Sequence, residues 1–387
     1  MSGRNQTLNH NHIMALCLEK ARQRKGFTKT NPLVGAAVVK DGNVVSFGVH
    51  EFFGGPHAEV NALNAAGSEA KGADLYVTLE PCSTYGKTPP CTDKIISSGI
   101  KNVYIGVVDP NPVHQGRGIA LLKDRGINVT VGIEAEKCGL LIEDFAKTVT
   151  YSMPYVFIKT AMSADGRIAS KSGDSKWITS EQSRELVHKM RGSVGAVLTG
   201  IGTVTADNPL LTDRRKDASR QPLRVVLDSC CRTPCSSNLI ASCKDVPLVI
   251  FVSEKAPADK LKLLSDYGAE IVLSPVHFGL IDINFVLKYL YEKGIMTVMV
   301  EAGAAVTGSF RDFDAVDALE LFIAPKFIGG LKSLSPIGGE GVSFVNQARE
   351  FVSMDAKKCG IDIHISARVK DYTAKILEDT YKFAERT

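Results

Sequence analysis

Three potential metal ligands and one acidic residue lie close together in the first quarter of the sequence. His57-Ala58-Glu59 is followed by Pro81-Cys82 and, after eight further residues, by Cys91. One imidazole and two thiolates are donors that zinc prefers, and three such ligands leave the fourth tetrahedral position open. Zinc would lower the pKa of a bound water to about 7, and Glu59 could move that water's protons. This order of residues is typical of hydrolytic deaminases.

Two simpler interpretations of these residues stay open. The site could hold a structural zinc, or the cysteines could pack without metal as small apolar side chains. Glu59 argues against both, because a purely structural site has no use for an acid beside its histidine. A second cluster of cysteines in the other half could suggest another metal site, but the absence of a ligand-like pair of pairs and of a nearby histidine argues against it. These residues are Cys230, Cys231, Cys235 and Cys243.

The segments around the candidate ligands predict alternating strands and helices. Apolar runs at 33–39 and 44–49 flank Asp41-Gly42, which indicates a β-hairpin. A helix over 58–66 starts directly after His57, and a strand over 75–79 leads into Cys82. Cys91 precedes another predicted helix. Helix N-termini lower thiol pKa values, so this placement favours thiolates.

The pattern restarts near residue 150, which predicts two domains, residues 1–150 and residues 151–387. A chain of 387 residues is long for a single core. The second half alternates apolar strands with helices, which predicts a second α/β domain with a mostly parallel sheet. Its predicted strands cover 155–162, 196–199, 224–227, 248–252, 270–273, 296–300, 319–324 and 361–367.

Composition excludes several classes of function. Hydrophobic residues make up 44% and charged residues 23%, as in ordinary globular proteins, and the net charge is only +4. We therefore expect no nucleic-acid partner. No apolar stretch is long enough to span a bilayer, so we expect no membrane partner. Nine irregularly spaced cysteines do not resemble a disulfide framework, which predicts a cytoplasmic location.

Signals for a phosphorylated ligand in the second half are individually weak. Arg184, His188 and Arg191 share one face of a predicted helix, and such a basic stripe is usually a solvated face. The turns at 200–203 and 301–305 follow strands and are rich in small residues, so their amides could approach a phosphate. Neither turn has the full dinucleotide-binding pattern. These residues alone predict only a nucleotide or another phosphorylated ligand.

Longer motifs resemble one family closely. Leu79-Glu80-Pro81-Cys82-Ser83-Thr84-Tyr85-Gly86-Lys87-Thr88-Pro89-Pro90-Cys91, preceded by Gly55-Pro56-His57-Ala58-Glu59, resembles the bifunctional pyrimidine deaminase–reductases of riboflavin biosynthesis. Asn31-Pro32-Leu33-Val34-Gly35 and Asp109-Pro110-Asn111-Pro112 extend the resemblance. It implies an N-terminal cytidine-deaminase-like three-layer α/β/α domain and a C-terminal dihydrofolate-reductase-like α/β domain.

The resemblance also implies roles for individual residues. Zinc would be bound by His57, Cys82 and Cys91, with Glu59 as catalytic acid and base. The phosphorylated substrate of the reductase half would lie near Ser175, Arg191, Leu211, Arg214 and Glu301. NADPH would lie near Ala161, Trp177, Thr203, Asp207, Ser229 and Gly303. Three positions depart from the family pattern: Thr84 stands where a histidine is usual, His114 where an apolar residue is usual, and Gly195 where an aspartate is common.

These implications predict two consecutive reactions on one small phosphorylated pyrimidine. The first domain would hydrolytically deaminate 2,5-diamino-6-(ribosylamino)pyrimidin-4-one 5′-phosphate, and the second would reduce its ribosyl group to ribityl with NADPH. The resemblance implies a homo-oligomer joined through the reductase halves. Two rival hypotheses remain: a nucleoside or nucleic-acid deaminase with a non-catalytic second domain, and a zinc-stabilised binding protein without catalysis.

Overall fold

The computed structural model describes residues 9–86 and 89–385, so Lys87 and Thr88 of the spacer between the two cysteines lie outside the described residues. The described chain forms two compact units. Residues 9–152 and 372–385 belong to the first, and Met153–Asp371 forms the second. Within the described ranges, no helix has both the length and the apolar character needed to cross a membrane.

The first unit is built on a five-stranded sheet with the order β2-β1-β3-β4-β5. β1 runs antiparallel to both of its neighbours, whereas β3, β4 and β5 are parallel. The strands are β1 (Gly35–Lys40), β2 (Asn43–Val49), β3 (Asp74–Leu79), β4 (Asn102–Val107) and β5 (Asn128–Val131). The helices before the second unit are α1 (His10–Arg22), α2 (Ala58–Ala66), α3 (Cys91–Ser97), α4 (Arg117–Asp124), α5 (Ala135–Leu141) and α6 (Glu143–Tyr151).

Local sequence chemistry accounts for the segments that frame the zinc-ligand candidates. Asp41 and Gly42 both have positive φ, 49° and 82°, as the predicted two-residue hairpin turn requires. α2 ends at Gly67, which also has positive φ. β3 is almost wholly buried and ends three residues before Cys82. The predicted hairpin, helix and strand of this region are thus confirmed.

The second unit contains a nine-stranded sheet with the order β10-β9-β8-β7-β13-β6-β14-β16-β15. Its strands are β6 (Tyr155–Ser163), β7 (Ala196–Gly200), β8 (Leu223–Leu227), β9 (Leu248–Val252), β10 (Glu270–Leu273), β13 (Thr297–Val300), β14 (Ala318–Ala324), β15 (Ser353–Cys359) and β16 (Asp362–Arg368). A separate hairpin pairs β11 (Val276–His277) with β12 (Leu280–Ile281). The helices are α7 (Glu181–Ser193), α8 (Ile201–Asp207), α9 (Asn238–Ala241), α10 (Ala258–Asp266), α11 (Ile283–Glu292) and α12 (Ala304–Asp312).

Seven neighbouring strands of this sheet, from β10 to β14, are parallel, and only β16 and β15 are antiparallel. Apolar cores cover both faces of the parallel part, as such sheets require. The mostly parallel sheet is therefore confirmed. β15 was not predicted, because its side chains are almost all exposed and its sequence lacks an apolar alternation.

The last helix, α13 (Ala374–Ala384), corrects one predicted domain boundary. The predicted second domain runs to residue 387, but the described residues 372–385 belong to the first unit. The amide N–H of Val108 donates to the hydroxyl of Thr380 at 3.1 Å. The ring of Phe383 packs against Gly116, where a Cβ atom would lie 2.1 Å from the ring. The apolar side of α13 is buried against the core of the first unit, which explains why the end of the chain packs there.

Candidate active sites

His57, Cys82 and Cys91 converge in the first unit. His57 occupies the N-cap position of α2, Cys91 is the first residue of α3, and Cys82 follows β3. The Nδ1 atom of His57 lies 3.5 Å from Cys82 Sγ and 3.2 Å from Cys91 Sγ. All three ligand atoms lie within 4.8 Å of one another. One imidazole and two thiols at this spacing fit a single zinc ion with an open fourth position.

The electrostatics of the two thiols fit the same conclusion. The pKa of Cys82 is lowered, chiefly by a side-chain hydrogen bond with Cys91 and also by His57. The Cys91 amide N–H additionally donates to Cys82 Sγ at 3.3 Å. The same thiol contact and burial raise the pKa of Cys91. Without a cation the pair therefore favours a single thiolate, and a divalent cation between them would stabilise both.

Glu59 is an acidic residue in direct contact with this cluster. It lies in the first turn of α2 and is only 3% exposed. Its carboxyl is in hydrogen-bond contact with Cys91, and burial raises its pKa to about 7. A carboxyl group that gains and loses a proton near neutral pH is suited to general acid–base catalysis.

Two polar residues beside the cluster were not predicted as site residues. Asn31 Nδ2 lies 2.9 Å from His50 Nε2, and His50 Nδ1 lies 3.0 Å from the carbonyl oxygen of Pro56. Since the amide of Asn31 donates, His50 carries its proton on Nδ1 and donates it to Pro56. The rings of His50 and His57 meet edge to face at 5.4 Å. The only sequence signal was the Asn31-Pro32 motif, which lies 26 residues before His57.

Glu80 fixes the loop between β4 and α4 beside the zinc-ligand candidates. Its buried carboxylate accepts from the backbone N–H groups of Asp109 (3.1 Å), Gly116 (2.9 Å), Gly118 (2.9 Å) and Ile119 (3.3 Å). The same loop carries His114, whose Nδ1 lies 3.4 Å from Thr84 Oγ1. Two of the residues that depart from the family pattern, Thr84 and His114, are therefore direct neighbours.

In the second unit, Glu301 lies between two cations. It receives two hydrogen bonds from Arg191, at 2.6 and 2.8 Å, and lies 3.7 Å from Lys159 Nζ. Burial alone would raise the pKa of Glu301, but the charges of Arg191 and Lys159 lower it to about 2. Lys159 was not among the predicted site residues. Its signal was its position on β6, two residues before Ala161 and on the same face of the strand.

Arg214 joins this cluster through its neighbours. Arg191 Nη1 donates to the carbonyl of Thr212 at 3.3 Å, and Arg214 lies against His188 of α7. Leu211 is buried and has a positive φ of 55°, at the turn that leads into Thr212. The structure therefore brings together four of the five predicted substrate residues: Arg191, Leu211, Arg214 and Glu301.

Ser175, the fifth predicted substrate residue, contacts a predicted cofactor residue instead. Its hydroxyl donates to Asp207 Oδ1 at 3.0 Å, at the end of α8. Thr203 lies on the same helix. Trp177 is 62% exposed, and the guanidinium of Arg184 lies 4.8 Å from its ring centre. The predicted solvated basic stripe on α7 is thus wrong, because its side chains contact Trp177, Glu301 and Arg214.

The remaining predicted cofactor residues lie along one edge of the sheet. β8, β7, β13 and β6 are adjacent and parallel, so their carboxyl ends lie side by side. Ser229 follows β8, Thr203 follows β7, Gly303 follows β13, and Ala161 lies near the end of β6. The carboxyl edge of a parallel sheet is where α/β proteins bind nucleotides.

Two family models together match most of the chain. Residues 8–107 match the cytidine and deoxycytidylate deaminase zinc-binding region. Residues 154–364 match the RibD C-terminal domain. The chain belongs to the RibD family. Members of this family are bifunctional deaminase–reductases of riboflavin biosynthesis that use zinc and NADPH, and both catalytic domains are present here.

Similar proteins cover nearly the full length. The riboflavin biosynthesis protein RibD of Bacillus amyloliquefaciens is 43% identical over 96% of this chain and 99% of its own length. That of Aquifex aeolicus is 42% identical over 92% of this chain and 97% of its own. These matches confirm the family resemblance drawn from the motifs.

Solved structures agree with this assignment. RibD of Acinetobacter baumannii has a TM-score of 0.82 at 33% identity, over 94% of this chain and 99% of that chain. A diaminohydroxyphosphoribosylaminopyrimidine deaminase/5-amino-6-(5-phosphoribosylamino)uracil reductase from Thermotoga maritima has a TM-score of 0.81 at 37% identity. This similarity covers 93% of the present chain and 99% of that chain. The predicted fold class is confirmed. A non-catalytic second domain is disfavoured, because the second half matches the reductase domain of the family.

Proposed function

We propose that this chain catalyses two consecutive reactions on one phosphorylated pyrimidine. The first unit replaces the 2-amino group of 2,5-diamino-6-(ribosylamino)pyrimidin-4-one 5′-phosphate by oxygen from water and releases ammonia. The second unit reduces the ribosyl group of the product to ribityl. The observation that carries this proposal is the convergence of His57, Cys82 and Cys91 within 4.8 Å, with Glu59 buried beside them.

In the deaminase reaction we assign zinc binding to His57, Cys82 and Cys91. When bound, zinc supplies the Lewis acidity that makes water nucleophilic near neutral pH. Glu59 accepts a proton at its carboxylate and returns protons to the ring nitrogen and to the departing amine. Its contact with Cys91 supports this role, because it keeps the carboxyl beside one of the residues that would hold zinc.

In the reductase reaction we assign the substrate phosphate to Arg191 and Arg214, with Ser175, Leu211 and Glu301 completing the substrate site. Guanidinium groups suit phosphate because their planar donors match its oxygens. NADPH supplies the hydride when bound, and we assign its site to the sheet edge formed by Ala161, Trp177, Thr203, Asp207, Ser229 and Gly303. Support comes from the strand order, which aligns the ends of four parallel strands.

A coupled assay tests both assignments. Ammonia release from the diaminopyrimidine phosphate is measured first, followed by loss of NADPH absorbance in the same sample. Glu59→Gln should lower the rate of ammonia release by a factor on the order of 10² to 10⁴, with full zinc content and unchanged reduction of the deaminated substrate. Full deaminase turnover in zinc-loaded Glu59→Gln protein would refute the role of Glu59.

We also propose a homo-oligomer joined through the second unit. β15 is an edge strand with exposed side chains, and edge strands offer unpaired backbone groups to a second chain. Met354 on β15 and the nearby Phe351 and Ile363 are exposed apolar residues. Met354→Asp should reduce self-association in sedimentation experiments, whereas Phe278→Asp, at an exposed site on the β11–β12 turn, should not. Unchanged association in Met354→Asp would contradict this interface.

We further propose that the protein works in the cytoplasm. The nine cysteines are free thiols in the structure, and two of them belong to the proposed zinc site. Thiolate ligands need reducing conditions to stay available for metal. Fractionation of cells that produce the protein would test the location.

A further inference from the structure

His188 lies where it can fix the side chain of Arg214. It belongs to α7, one turn before Arg191, and is half-buried. Its Nδ1 lies 3.1 Å from the carbonyl oxygen of Thr212 and 3.3 Å from the amide nitrogen of Arg214. Its Nε2 lies 3.3 Å from Nη2 of the Arg214 guanidinium. The imidazole therefore touches both the backbone and the side chain of the segment that carries Arg214.

The partners of the ring determine its protonation state. A guanidinium can only donate hydrogen bonds, so Nε2 of His188 must accept and carries no proton. The proton then lies on Nδ1, which donates to the carbonyl of Thr212 at 3.1 Å, so this tautomer gives up the longer hydrogen bond, 3.3 Å, from the amide of Arg214 to Nδ1. Burial and the neighbouring charges of Arg191 and Arg214 lower the pKa of His188, which favours the same neutral form.

A neutral partner has a specific consequence for Arg214. Arg191 is paired with Glu301 and Arg215 with Asp213, so carboxylates offset the charges of both. The ring of His188 orients Arg214 without offsetting its charge. An oriented and uncompensated guanidinium is a strong binding group for a phosphate dianion.

We infer that His188 is a positioning residue of the reductase site, which holds the guanidinium of Arg214 in place for the phosphate of the substrate. This inference rests on the proposed function, in which Arg214 receives that phosphate. His188 acts through Arg214, so its loss should weaken binding of the phosphorylated substrate rather than slow the reduction itself.

The experiment uses the full-length protein and two substrates, 5-amino-6-(5-phosphoribosylamino)uracil and its dephosphorylated counterpart. His188→Ala should raise the KM for the phosphorylated substrate by a factor on the order of ten, because a hydrogen bond to a charged group is lost. The kcat should stay close to the original value, and kcat/KM for the dephosphorylated substrate should not change. Lys189→Ala, an exposed neighbour on α7, is the matched control.

Two conservative variants separate the two ring nitrogens. His188→Gln keeps an acceptor that reaches Arg214, whereas His188→Asn keeps a donor for Thr212 and loses that acceptor. We expect His188→Gln to retain a KM near the original and His188→Asn to behave like His188→Ala. Since both keep a polar side chain, this comparison remains decisive if His188→Ala folds poorly. The reverse order of effects would overturn the inference.

Arg214→Ala distinguishes failure of this inference from failure of the proposed function. If Arg214→Ala raises the KM for the phosphorylated substrate and His188→Ala adds nothing in that background, the two residues act as one unit. If Arg214→Ala raises the KM but His188→Ala alone does not, His188 is no positioning residue and the phosphate site stands. If Arg214→Ala has no effect, the phosphate site and the inference are both wrong. Equal losses on the two substrates in His188→Ala would show a merely structural role and also overturn the inference.

Discussion

Glu80 offers the sharpest test of how the first unit holds its active-site loop. One carboxylate oxygen accepts from the amides of Asp109 and Gly116, and the other accepts from Gly118 and Ile119. The last three amides lie at the start of α4, where the helix dipole also favours a negative charge. We predict that Glu80→Gln destabilises the first unit and disturbs the loop that carries His114.

The size of the effect follows from these contacts. A glutamine keeps one oxygen and therefore two of the four hydrogen bonds, and its amide group would face the other two N–H donors. Each buried donor without an acceptor costs about 1–3 kcal/mol, so with two such donors the free energy of unfolding should fall by about 2–6 kcal/mol. For a domain of this size, 1 kcal/mol corresponds to about 2–4 °C, so the Tm of the first unit should fall by at least about 4 °C and at most about 24 °C.

Differential scanning calorimetry of the full-length variant measures this change, with Glu69→Gln as a control at an exposed acidic residue. The rate of deamination should fall more than the zinc content, because the loop that carries His114 is disturbed while the three zinc-ligand candidates stay in place. Reduction of the deaminated substrate should be unaffected. A Glu80→Gln protein that melts at the same temperature as Glu69→Gln would refute the argument.

Three further predictions concern other parts of the two sites. In the folded protein the pKa of Glu301 is about 2, below its ordinary value of 4.5, so the stability that its charge contributes is present above about pH 4.5 and is lost as the pH falls towards 2. Between pH 5 and pH 3 the melting temperature of Glu301→Gln should therefore fall less than that of the original protein. Equal falls in the two proteins would contradict this. Cys82→Ser should lose zinc, measured by metal analysis after dialysis, whereas Cys230→Ser, an exposed cysteine of the second unit, should keep it; full zinc content in Cys82→Ser would exclude Cys82 as a ligand. A double-mutant cycle of Thr84→Ala and His114→Ala, measured through the KM of deamination, should show a coupling free energy of about 0.5–1.5 kcal/mol between the two residues, because their side chains lie 3.4 Å apart. Additive effects of the two substitutions would show that the residues act independently.

The sequence predicted well what depends on neighbouring residues. The hairpin at Asp41-Gly42 and the end of α2 at Gly67 follow from backbone preferences that act within a few residues. The convergence of His57, Cys82 and Cys91 was also predictable, because metal chemistry restricts which residue types can serve as ligands. The apolar strands of the second unit were recognisable because burial on both faces makes them continuously apolar.

Contacts between distant segments could not be predicted in this way. Glu80 reaches amides 29 to 39 residues away, and His188 contacts Arg214 across 26 residues. The sequence pattern of α7 indicated that three basic residues share one face of the helix. It did not indicate that other segments cover that face. The same limit applies to α13, whose apolar side indicates burial without indicating which of the two cores it covers.

The charge left over in each site indicates the sign of its ligand. The first site gathers Cys82, Cys91 and Glu59, which can all become anionic, around a single imidazole. Such a group is stable in the ionised state only with a cation. The second site places three cations, Lys159, Arg191 and Arg214, around the carboxylate of Glu301. Lys159 and Arg191 are mostly buried and Arg214 is exposed, so an anionic ligand that binds beside all three would offset the excess positive charge. The charges of the two sites are therefore compatible with the proposed metal in one unit and the proposed phosphorylated substrate in the other.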